Sequence, residues 1–312
     1  MRFVYVMDPM DRILPDKDTT FAFQRAAQRR GHSALHTLVS GVYLDCGQVC
    51  ASVRPVVVSD TAPFHAFGAP FDLRLTDVDA VFIRKDPPFD AQYLYLTHIL
   101  ELLRGHTLVL NDPRGLREAN EKLYTIHFAQ HMPPTLVSAD PARLLAFAES
   151  LGKAVIKPLD GAGGSGVLVL TTGDPNNRSM VDLLTHEGQR YAMLQQFLPA
   201  VRQGDKRVLL LDGEVLGAIN RIPRSDDIRS NIHVGGSVEP CEVTSEERAL
   251  VEDLKPRLLR DGLVFVGLDL IGGKLTEVNV TSPTGIQQLS AHVGQDMADP
   301  VIAWVESRVA GS

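Results

Sequence analysis

The feature that most constrains the fold is the alternation of apolar and polar side chains in VFVGLDLIGGKLTEVNV, residues 264–280. Alternation with a period of two predicts β-strands, and the central glycine pair predicts a tight hairpin between them. A three-residue loop over 272–274 pairs residue 269 with residue 277. A two-residue loop over the glycines alone would shift that pairing by one and turn residue 269 onto the opposite face.

The three-residue loop sorts the side chains cleanly, and we therefore predict it. One face then carries only apolar side chains: Val264, Val266, Leu268, Leu270, Val278 and Val280. The other face carries Gly267, Asp269, Glu277 and Asn279. A slip of one residue would mix the two faces, so this sorting indicates the correct register.

The polar face of this hairpin predicts a metal site. Asp269, Glu277 and Asn279 offer hard oxygen donors of the kind that Mg²⁺ takes alongside substrate phosphates. Glu277 and Asn279 are two residues apart and so face the same side of a strand. Two acids on one sheet face repel each other unless a cation lies between them. The alternative is a solvated face with two unremarkable acids.

A second signal is the glycine-rich stretch IKPLDGAGGSGV, residues 156–167. Its glycines satisfy the dinucleotide pattern G-x-G-x-x-G, but that pattern requires a helix next, and the following VLVLTTGD predicts a strand. A strand–loop–strand hairpin with bare backbone instead predicts a flap that covers phosphates. The flap consists of Gly161, Gly163, Gly164, Ser165 and Gly166. The alternative is an ordinary glycine hairpin.

Positive charge for such phosphates must come from elsewhere, because the chain contains no G-x-x-x-x-G-K-[ST] P-loop. Lys122 and Lys157 are the candidates, and Lys157 ends the strand before the glycines. A strand-end lysine that only extends to water is the alternative for Lys157. Arginine binds carboxylate or phosphate through two parallel hydrogen bonds. Four arginines, which would otherwise be unremarkable surface residues, cluster nearby: Arg207, Arg221, Arg224 and Arg229.

Composition and charge exclude several classes of partner. A formal net charge of −7 predicts no general affinity for nucleic acid or anionic membranes. No apolar run approaches the roughly 18 residues of a membrane span. The N-terminal MRFVYVMDPM lacks the marks of a signal peptide, so we expect a cytoplasmic location. Cys46 and Cys50 have no second Cys/His pair to complete a zinc set, and we expect them to be incidental reduced thiols.

The order of predicted elements divides the chain into three units. Strands alternate with helices over residues 1–117, which predicts an open parallel sheet with helices on both faces. Residues 118–192 form a small α+β unit that begins with a predicted helix over 120–130, NEKLYTIHFAQ, and contains the glycine flap. Residues 193–312 form a third unit with two hairpins. The polar stretch 221–237, RIPRSDDIRSNIHVGGS, is long enough to be a mobile lid.

Several uncommon strings occur in order along the chain. They are NEKL, IKPLDGAGGSG, QQFLPA, GDKRVLLLDGE and GLDLIGGKLTEVNVTSPTG, with VMDP, KDTTFAF and RKDPPFD nearer the N-terminus. Together they resemble the ATP-grasp superfamily and, within it, the bacterial glutathione synthetase family. The resemblance implies an α/β ATP-grasp fold, in which two α+β units grip ATP, preceded by the open-sheet domain. It also implies γ-glutamylcysteine, glycine and ATP as substrates, Mg²⁺ with Mn²⁺ as a substitute, and a homotetramer.

The same resemblance implies roles for individual residues. Lys122 and Lys157 contact the ATP phosphates beneath the flap, and Asp205 lies beside the ribose. Asp269, Glu277 and Asn279 hold Mg²⁺. The hinge beside the adenine is formed by Gln195, Gln196, Phe197 and Leu198. The catalytic residues are Lys157, Arg207 and Arg221. The acyl substrate is held by Arg207, Arg221, Arg229, Asn279, Thr281, Ser282 and Pro283.

Two departures from the family pattern concern the amine acceptor. After TSPT the family commonly has Cys-Ile-Arg, whereas this chain has Gly285-Ile286-Gln287, and His233 stands where a small residue is usual. Another ATP-grasp ligase with a different acceptor therefore stays open as an alternative, as does a non-catalytic ATP-binding regulatory protein. The stretch RKDPPFD, residues 84–90, either contacts the dipeptide or is only a stiff turn.

Overall fold

The computed structural model describes residues 1–161, 163–224 and 236–311. Within these residues the chain forms three β-sheets, with helices between many of their strands. The first sheet has the order β3-β4-β2-β1-β7-β8, with β5 and β6 paired to β4. Strands β2, β1, β7 and β8 run parallel, as the predicted open parallel sheet requires, whereas β4 pairs antiparallel with β2, β3, β5 and β6, so the sheet as a whole is mixed. The strands are β1 (Arg2–Met7), β2 (Ser33–Thr37), β3 (Val42–Asp45), β4 (Gln48–Val58), β5 (His65–Phe67), β6 (Phe71–Arg74), β7 (Ala80–Arg84) and β8 (Leu108–Leu110).

Helices cover both faces of this sheet, as its buried strands predict. On β1, Tyr5 packs in one core cluster with Phe23, and Val4 packs in the other with Leu96. Phe23 belongs to α1 and Leu96 to α2, so alternate side chains of one strand belong to core clusters that include different helices. The helices of this unit are α1 (Thr19–Arg29), α2 (Ala91–Glu101) and α3 (Pro113–Glu118).

The second sheet is antiparallel and carries the glycine-rich stretch between two of its strands. Its order is β11-β10-β12-β9, and Ile156 of β10 lies opposite Leu168 of β11. The predicted strand–loop–strand hairpin is thus confirmed. The predicted helix over 120–130 is instead a run of 3₁₀ turns over Leu123–His131, interrupted at Phe128. Its elements are β9 (Thr135–Ser138), α4 (Pro141–Leu151), β10 (Lys153–Pro158), β11 (Leu168–Thr171), α5 (Asn177–Thr185) and β12 (Ala192–Gln196).

The third sheet is also antiparallel, in the order β15-β14-β13-β16-β17. At the end of the chain, α8 leaves this sheet and packs against α1 of the first unit. The unit boundaries at 117/118 and 192/193 stay predictions. The elements are β13 (Asp205–Leu211), β14 (Glu214–Ile222), β15 (Ser237–Pro240), α6 (Ser245–Arg260), β16 (Phe265–Ile271), β17 (Lys274–Asn279), α7 (Ile286–Val293) and α8 (Asp299–Ala310).

The β16–β17 hairpin has the predicted pairing but not the predicted loop. Asp269 lies opposite Glu277, as expected, yet the turn contains only Gly272 and Gly273, with φ of 55° and 74°. The register shifts just after Asp269, so β17 contains one extra residue, Thr276, in a β-bulge. The three-residue loop is wrong because the glycine pair adopts the two-residue turn that suits strand twist, and the bulge restores the register.

The buried face of this hairpin largely matches the prediction. Five of the six predicted side chains lie in one core cluster: Val266, Leu268, Leu270, Val278 and Val280. Val264 precedes β16, is partly buried and packs against a different cluster. Leu275 joins the buried face instead, because the bulge at Thr276 turns it inward.

The side chain of Asn111, just after β8, joins the first sheet to the third. Its Oδ1 accepts hydrogen bonds from the backbone N–H groups of Val264 (2.9 Å) and Phe265 (2.8 Å). Its Nδ2 donates to the carbonyl oxygens of Phe265 and Val280, both at 2.9 Å. This buried amide therefore satisfies four backbone groups at the junction.

Asn111→Leu is expected to lower the free energy of unfolding by roughly 3 kcal/mol or more, because each buried polar group left without a partner costs about 1–3 kcal/mol. Urea denaturation measures the change. The matched control Asn176→Leu alters an exposed amide at the start of α5 and is expected to cost less than about 1 kcal/mol. Equal losses in the two variants would contradict the role of Asn111.

None of the helices within the described residues is both long enough and apolar enough to cross a membrane.

Candidate functional site

A cavity of about 530 Å³ lies between the second and third sheets and gathers most of the predicted site residues. Eighteen of them line it: Lys122, Lys157, Gly161, Gly163, Gly164, Ser165, Gln195, Gln196, Phe197, Leu198, Asp205, Arg207, Arg221, Asp269, Glu277, Asn279, Thr281 and Ser282. Gly166 and Pro283 are not lining residues of this cavity. Arg229, His233 and most of the predicted lid at 221–237 fall outside the described residues.

The glycine-rich loop between β10 and β11 forms one wall of the cavity, and its glycines serve two purposes. Gly163 and Gly164 line the cavity with φ of 63° and 77°, a region that disfavours side chains. Gly166, with φ of 73°, packs instead against Pro158, and a Cβ there would lie 3.0 Å from Pro158 Cγ. The loop therefore presents bare backbone to the cavity, while Gly166 allows the loop to fold back on its own strand.

The side of the cavity that carries Asp269, Glu277 and Asn279 is here called the cavity floor. The ammonium groups of Lys122 and Lys157 both lie near it. Their Nζ atoms lie 3.6 and 3.9 Å from Oε1 of Glu277. Lys122 also donates to the carbonyl oxygen of Gly161 (2.5 Å), and Lys157 donates to that of Thr276 (3.3 Å). Burial lowers the pKa of Lys157, although the charge of Glu277 opposes that effect. Lys157 is only 7% exposed, so the alternative in which it extends to water is wrong.

Asp269 is held between two arginines. Arg207 donates to both of its carboxylate oxygens, from Nε and Nη2, each at 2.8 Å. Arg221 Nη2 lies 3.0 Å from Oδ1 of Asp269 and 2.7 Å from Oδ2 of Asp205. Burial alone would raise the pKa of the Asp269 carboxyl, but the charges and hydrogen bonds of Arg207 and Arg221 hold it well below its ordinary value. Asp269 is therefore a carboxylate at neutral pH.

The chemistry of this floor fits a hard divalent cation. Asp269 and Glu277 are directly opposite each other, and Asn279 follows on the same face opposite Gly267. Asn279 Nδ2 donates to the carbonyl oxygen of Gly267 at 3.2 Å. Within the described ranges, no group of three or more His, Cys, Asp and Glu residues could hold a metal. A cation here would thus have two carboxylates and one amide from the protein, and it would need phosphate or water oxygens to complete its shell.

The predicted hinge comprises the last two residues of β12, Gln195 and Gln196, and the two residues that follow it, Phe197 and Leu198. The backbone N–H of Gln196 donates to Pro134 (2.9 Å), and that of Phe197 donates to Lys153 (3.1 Å). The N–H of Leu198 has no acceptor in the described part of the chain, and Leu198 lines the cavity. Of these three N–H groups, that of Leu198 is therefore the one that can donate to a bound base.

Sequence reasoning missed residues that hold the cavity wall in place. Glu121 Oε1 accepts hydrogen bonds from the N–H of Val280 (2.9 Å) and from the N–H and hydroxyl of Thr281 (3.1 and 2.9 Å). Burial raises the pKa of the Glu121 carboxyl. The buried Arg84 donates to the carbonyl oxygen of Pro283 at 2.9 Å. The available signals were NEKL and RKDPPFD, but neither motif by itself predicts which backbone its charged residue will contact.

Two residues of the stretch 84–90, Asp86 and Pro87, line the cavity, and the contact of this stretch with the dipeptide stays a prediction. The departures at 285–287 are not part of its lining. Gln287 Nε2 donates to the carbonyl oxygens of Pro15 (2.6 Å) and Asp18 (2.7 Å), and so it ties α7 to the segment before α1. The departure from the family pattern at Gln287 therefore affects the junction between units and does not alter the cavity wall directly.

The arrangement of two sheets around this cavity defines a class of protein. D-cycloserine synthetase DcsG has a similar structure, with a TM-score of 0.66 and 16% identity over 98% of this chain and 100% of that chain. So does ATP-grasp ligase PsnB, solved with a minimal precursor, Mg and ADP, with a TM-score of 0.63 and 14% identity over 99% and 98% of the two chains. Identities this low establish the fold alone. The fold is the ATP-grasp fold, as predicted.

Sequence comparisons then give the family. The model of the prokaryotic glutathione synthetase N-terminal domain matches residues 1–117, and that of the prokaryotic glutathione synthetase ATP-grasp domain matches residues 121–294. Glutathione synthetase of Synechocystis sp. is 45% identical over 99% of this chain and 100% of that protein. Glutathione synthetase of Salmonella typhimurium is 41% identical over 98% of each. The chain belongs to the prokaryotic glutathione synthetase family of ATP-using ligases, which confirms the resemblance seen in its motifs.

Proposed function

We propose that this protein joins γ-glutamylcysteine to glycine with ATP and releases glutathione, ADP and phosphate. The observation that supports this most strongly is the cavity, where two lysines, two arginines and three oxygen donors meet beneath a loop of bare backbone. The matches to both family models, over residues 1–117 and 121–294, support the same substrates. A regulatory ATP-binding protein would need neither the paired arginines nor all three donors.

In the proposed reaction, a cysteinyl carboxylate oxygen attacks the γ-phosphorus of ATP and ADP leaves. Lys122, Lys157, Arg207 and Arg221 stabilise the negative charge that develops on the phosphoryl group. The amine of glycine then attacks the acylphosphate carbonyl carbon, inorganic phosphate leaves, and the amine releases its proton to solvent. This route needs no protein nucleophile, because positioning and charge stabilisation suffice.

We assign the remaining predicted residues to the ligands of this reaction. Asp269, Glu277 and Asn279 would hold Mg²⁺, which neutralises phosphate charge when bound, and Mn²⁺ is proposed as a substitute because it favours the same oxygen ligands. The nucleotide is proposed to contact Gly161, Gly163, Gly164, Ser165, Gly166, Gln195, Gln196, Phe197, Leu198 and Asp205. The acyl substrate is proposed to contact Arg207, Arg221, Arg229, Asn279, Thr281, Ser282 and Pro283.

Phosphate release tests the proposed substrates. The protein is incubated with ATP and Mg²⁺, and γ-glutamylcysteine and glycine are added singly and together. Release that needs both, with glutathione identified by mass, is the expected result. Release and ligation with another amine in place of glycine would favour a ligase with a different acceptor. Tight ATP binding without release would favour a regulatory protein.

We also propose a cytoplasmic homotetramer with small-molecule substrates and with no nucleic-acid or membrane partner. The net charge of −7 supports the absence of polyanionic partners. Light scattering is expected to give a mass of about four times the 34.1 kDa of one chain. A monomeric mass at micromolar concentration would contradict the tetramer and leave the proposed reaction unaffected.

A further inference from the structure

Each of the two carboxylates assigned to the cation is already engaged by two positive side chains. Asp269 contacts Arg207 and Arg221 at 2.8–3.0 Å, and Glu277 lies 3.6 Å from Lys122 and 3.9 Å from Lys157. A divalent cation that approaches either carboxylate is repelled by two nearby charges. The cation therefore binds well only after other anions have drawn these side chains away.

The two lysines and the two arginines suit different substrates. Lys122 and Lys157 lie against the glycine loop and the bulge, where a triphosphate is proposed to bind. Arg207 Nη1 instead faces Thr284, 3.4 Å from its hydroxyl, at the end of the segment proposed to hold the acyl substrate. A nucleotide would thus release Glu277, whereas a substrate carboxylate would release Asp269.

Arg207 and Arg221 differ in the carboxylate partners that they keep when Asp269 binds the divalent cation instead. Arg221 keeps a second carboxylate partner, Asp205, at 2.7 Å. Among the described residues, Arg207 forms an ion pair with Asp269 alone, and it donates to both carboxylate oxygens. If Asp269 leaves, the buried guanidinium of Arg207 has no counter-charge until a substrate carboxylate replaces it.

We infer that Arg207 couples the acyl substrate to the divalent cation, because a substrate carboxylate that binds Arg207 releases Asp269, which the cation can then bind. Without the peptide, Arg207 occupies Asp269 and weakens cation binding. With the peptide carboxylate on Arg207, Asp269 becomes available to the cation. The inference rests on the proposed function, since it takes the ligands to be a nucleotide, a divalent cation and a peptide carboxylate.

Linkage makes this coupling reciprocal. The factor by which the peptide tightens cation binding must equal the factor by which the cation tightens peptide binding. Coupling within a protein is commonly about 5- to 150-fold. We expect each affinity to change about tenfold here, toward the low end of that range, since the coupling involves one of the two carboxylates and one of the four positively charged side chains.

Mn²⁺ serves as the probe, because its electron paramagnetic resonance signal reports the unbound ion directly. It is titrated into the protein with β,γ-imido-ATP, which cannot transfer its phosphate, in the presence and absence of γ-glutamylcysteine. The Mn²⁺ dissociation constant is expected to fall about tenfold with the peptide. The matched peptide with an amide in place of the cysteinyl carboxylate is expected to leave it unchanged.

Arg207→Gln removes the competing charge and gives the decisive comparison. Without any peptide, this variant is expected to bind Mn²⁺ about tenfold more tightly than the unaltered protein, and the peptide should add nothing. Mn²⁺ affinity equal to or weaker than that of the unaltered protein would overturn the inference. A second measurement needs no variant: calorimetry must find peptide affinity raised by Mn²⁺ by the same factor, and an unchanged affinity would also overturn it.

A parallel ligation assay separates the inference from the proposed function. Ligation of γ-glutamylcysteine to glycine together with peptide-independent Mn²⁺ binding would overturn the inference alone. The absence of both ligation and nucleotide-dependent Mn²⁺ binding would overturn the proposed function and the inference with it.

Discussion

Lys157→Met is expected to lower kcat for ligation by roughly 100- to 1000-fold, the cost of removing one charge that stabilises a transition state. The ammonium of Lys157 is buried in the cavity floor, 3.9 Å from Glu277 and 3.3 Å from the carbonyl oxygen of Thr276. Methionine keeps the length and apolar stem of lysine, so the fold should persist. Steady-state kinetics measures the loss, and circular dichroism with thermal unfolding verifies the fold.

Lys274→Met is the matched control for this variant. Lys274 is exposed at the start of β17, in the same hairpin as Glu277 but away from the cavity lining. Its substitution is expected to change kcat by less than about twofold. An active Lys157→Met protein with unchanged ATP affinity would remove Lys157 from the proposed phosphate contacts.

Glu277→Gln is expected to raise the Mg²⁺ concentration for half-maximal rate at least tenfold and to lower kcat at saturating Mg²⁺ by about 100-fold. Glutamine keeps an oxygen donor but removes the charge that a hard cation favours, and it also leaves Lys122 and Lys157 without their shared carboxylate. A Mg²⁺ titration of the initial rate measures both effects.

Glu239→Gln provides the comparison for the loss of one acidic charge. Glu239 is exposed on β15, outside the cavity lining. Its Mg²⁺ titration should match that of the unaltered protein. If Glu277→Gln also gives an unaltered titration, Glu277 is not a ligand of the cation.

The hairpin over 264–280 illustrates what alternation in a sequence can predict. The pairing of Asp269 with Glu277 was predicted correctly, because only that register separates apolar from polar side chains. The loop was predicted wrongly, because a bulge and a longer loop add the same extra residue and leave the same pattern outside the turn. Periodicity reports which residues share a face, and it does not report where an inserted residue lies.

Contacts between units were much harder to predict. Asn111, Glu121 and Arg84 each use a polar side chain to satisfy backbone groups far away in the sequence. The bonded pairs are separated by 169, 159 and 199 residues. No local pattern encodes such a contact, since its partners meet only after the sheets have assembled. That Asp269, Glu277 and Asn279 line one cavity with Lys157 was predictable, because the strand patterns and the family motifs both pointed to these positions.

The release of isotope from a labelled peptide tests the central proposal most directly. γ-Glutamylcysteine with oxygen-18 in both oxygens of its cysteinyl carboxylate is incubated with the protein, ATP, Mg²⁺ and glycine. The masses of the phosphate and peptide products are then measured by mass spectrometry. Transfer through an acylphosphate predicts glutathione together with phosphate that contains one labelled oxygen for each turnover. Unlabelled phosphate, or phosphate release without glutathione, would contradict the proposed reaction.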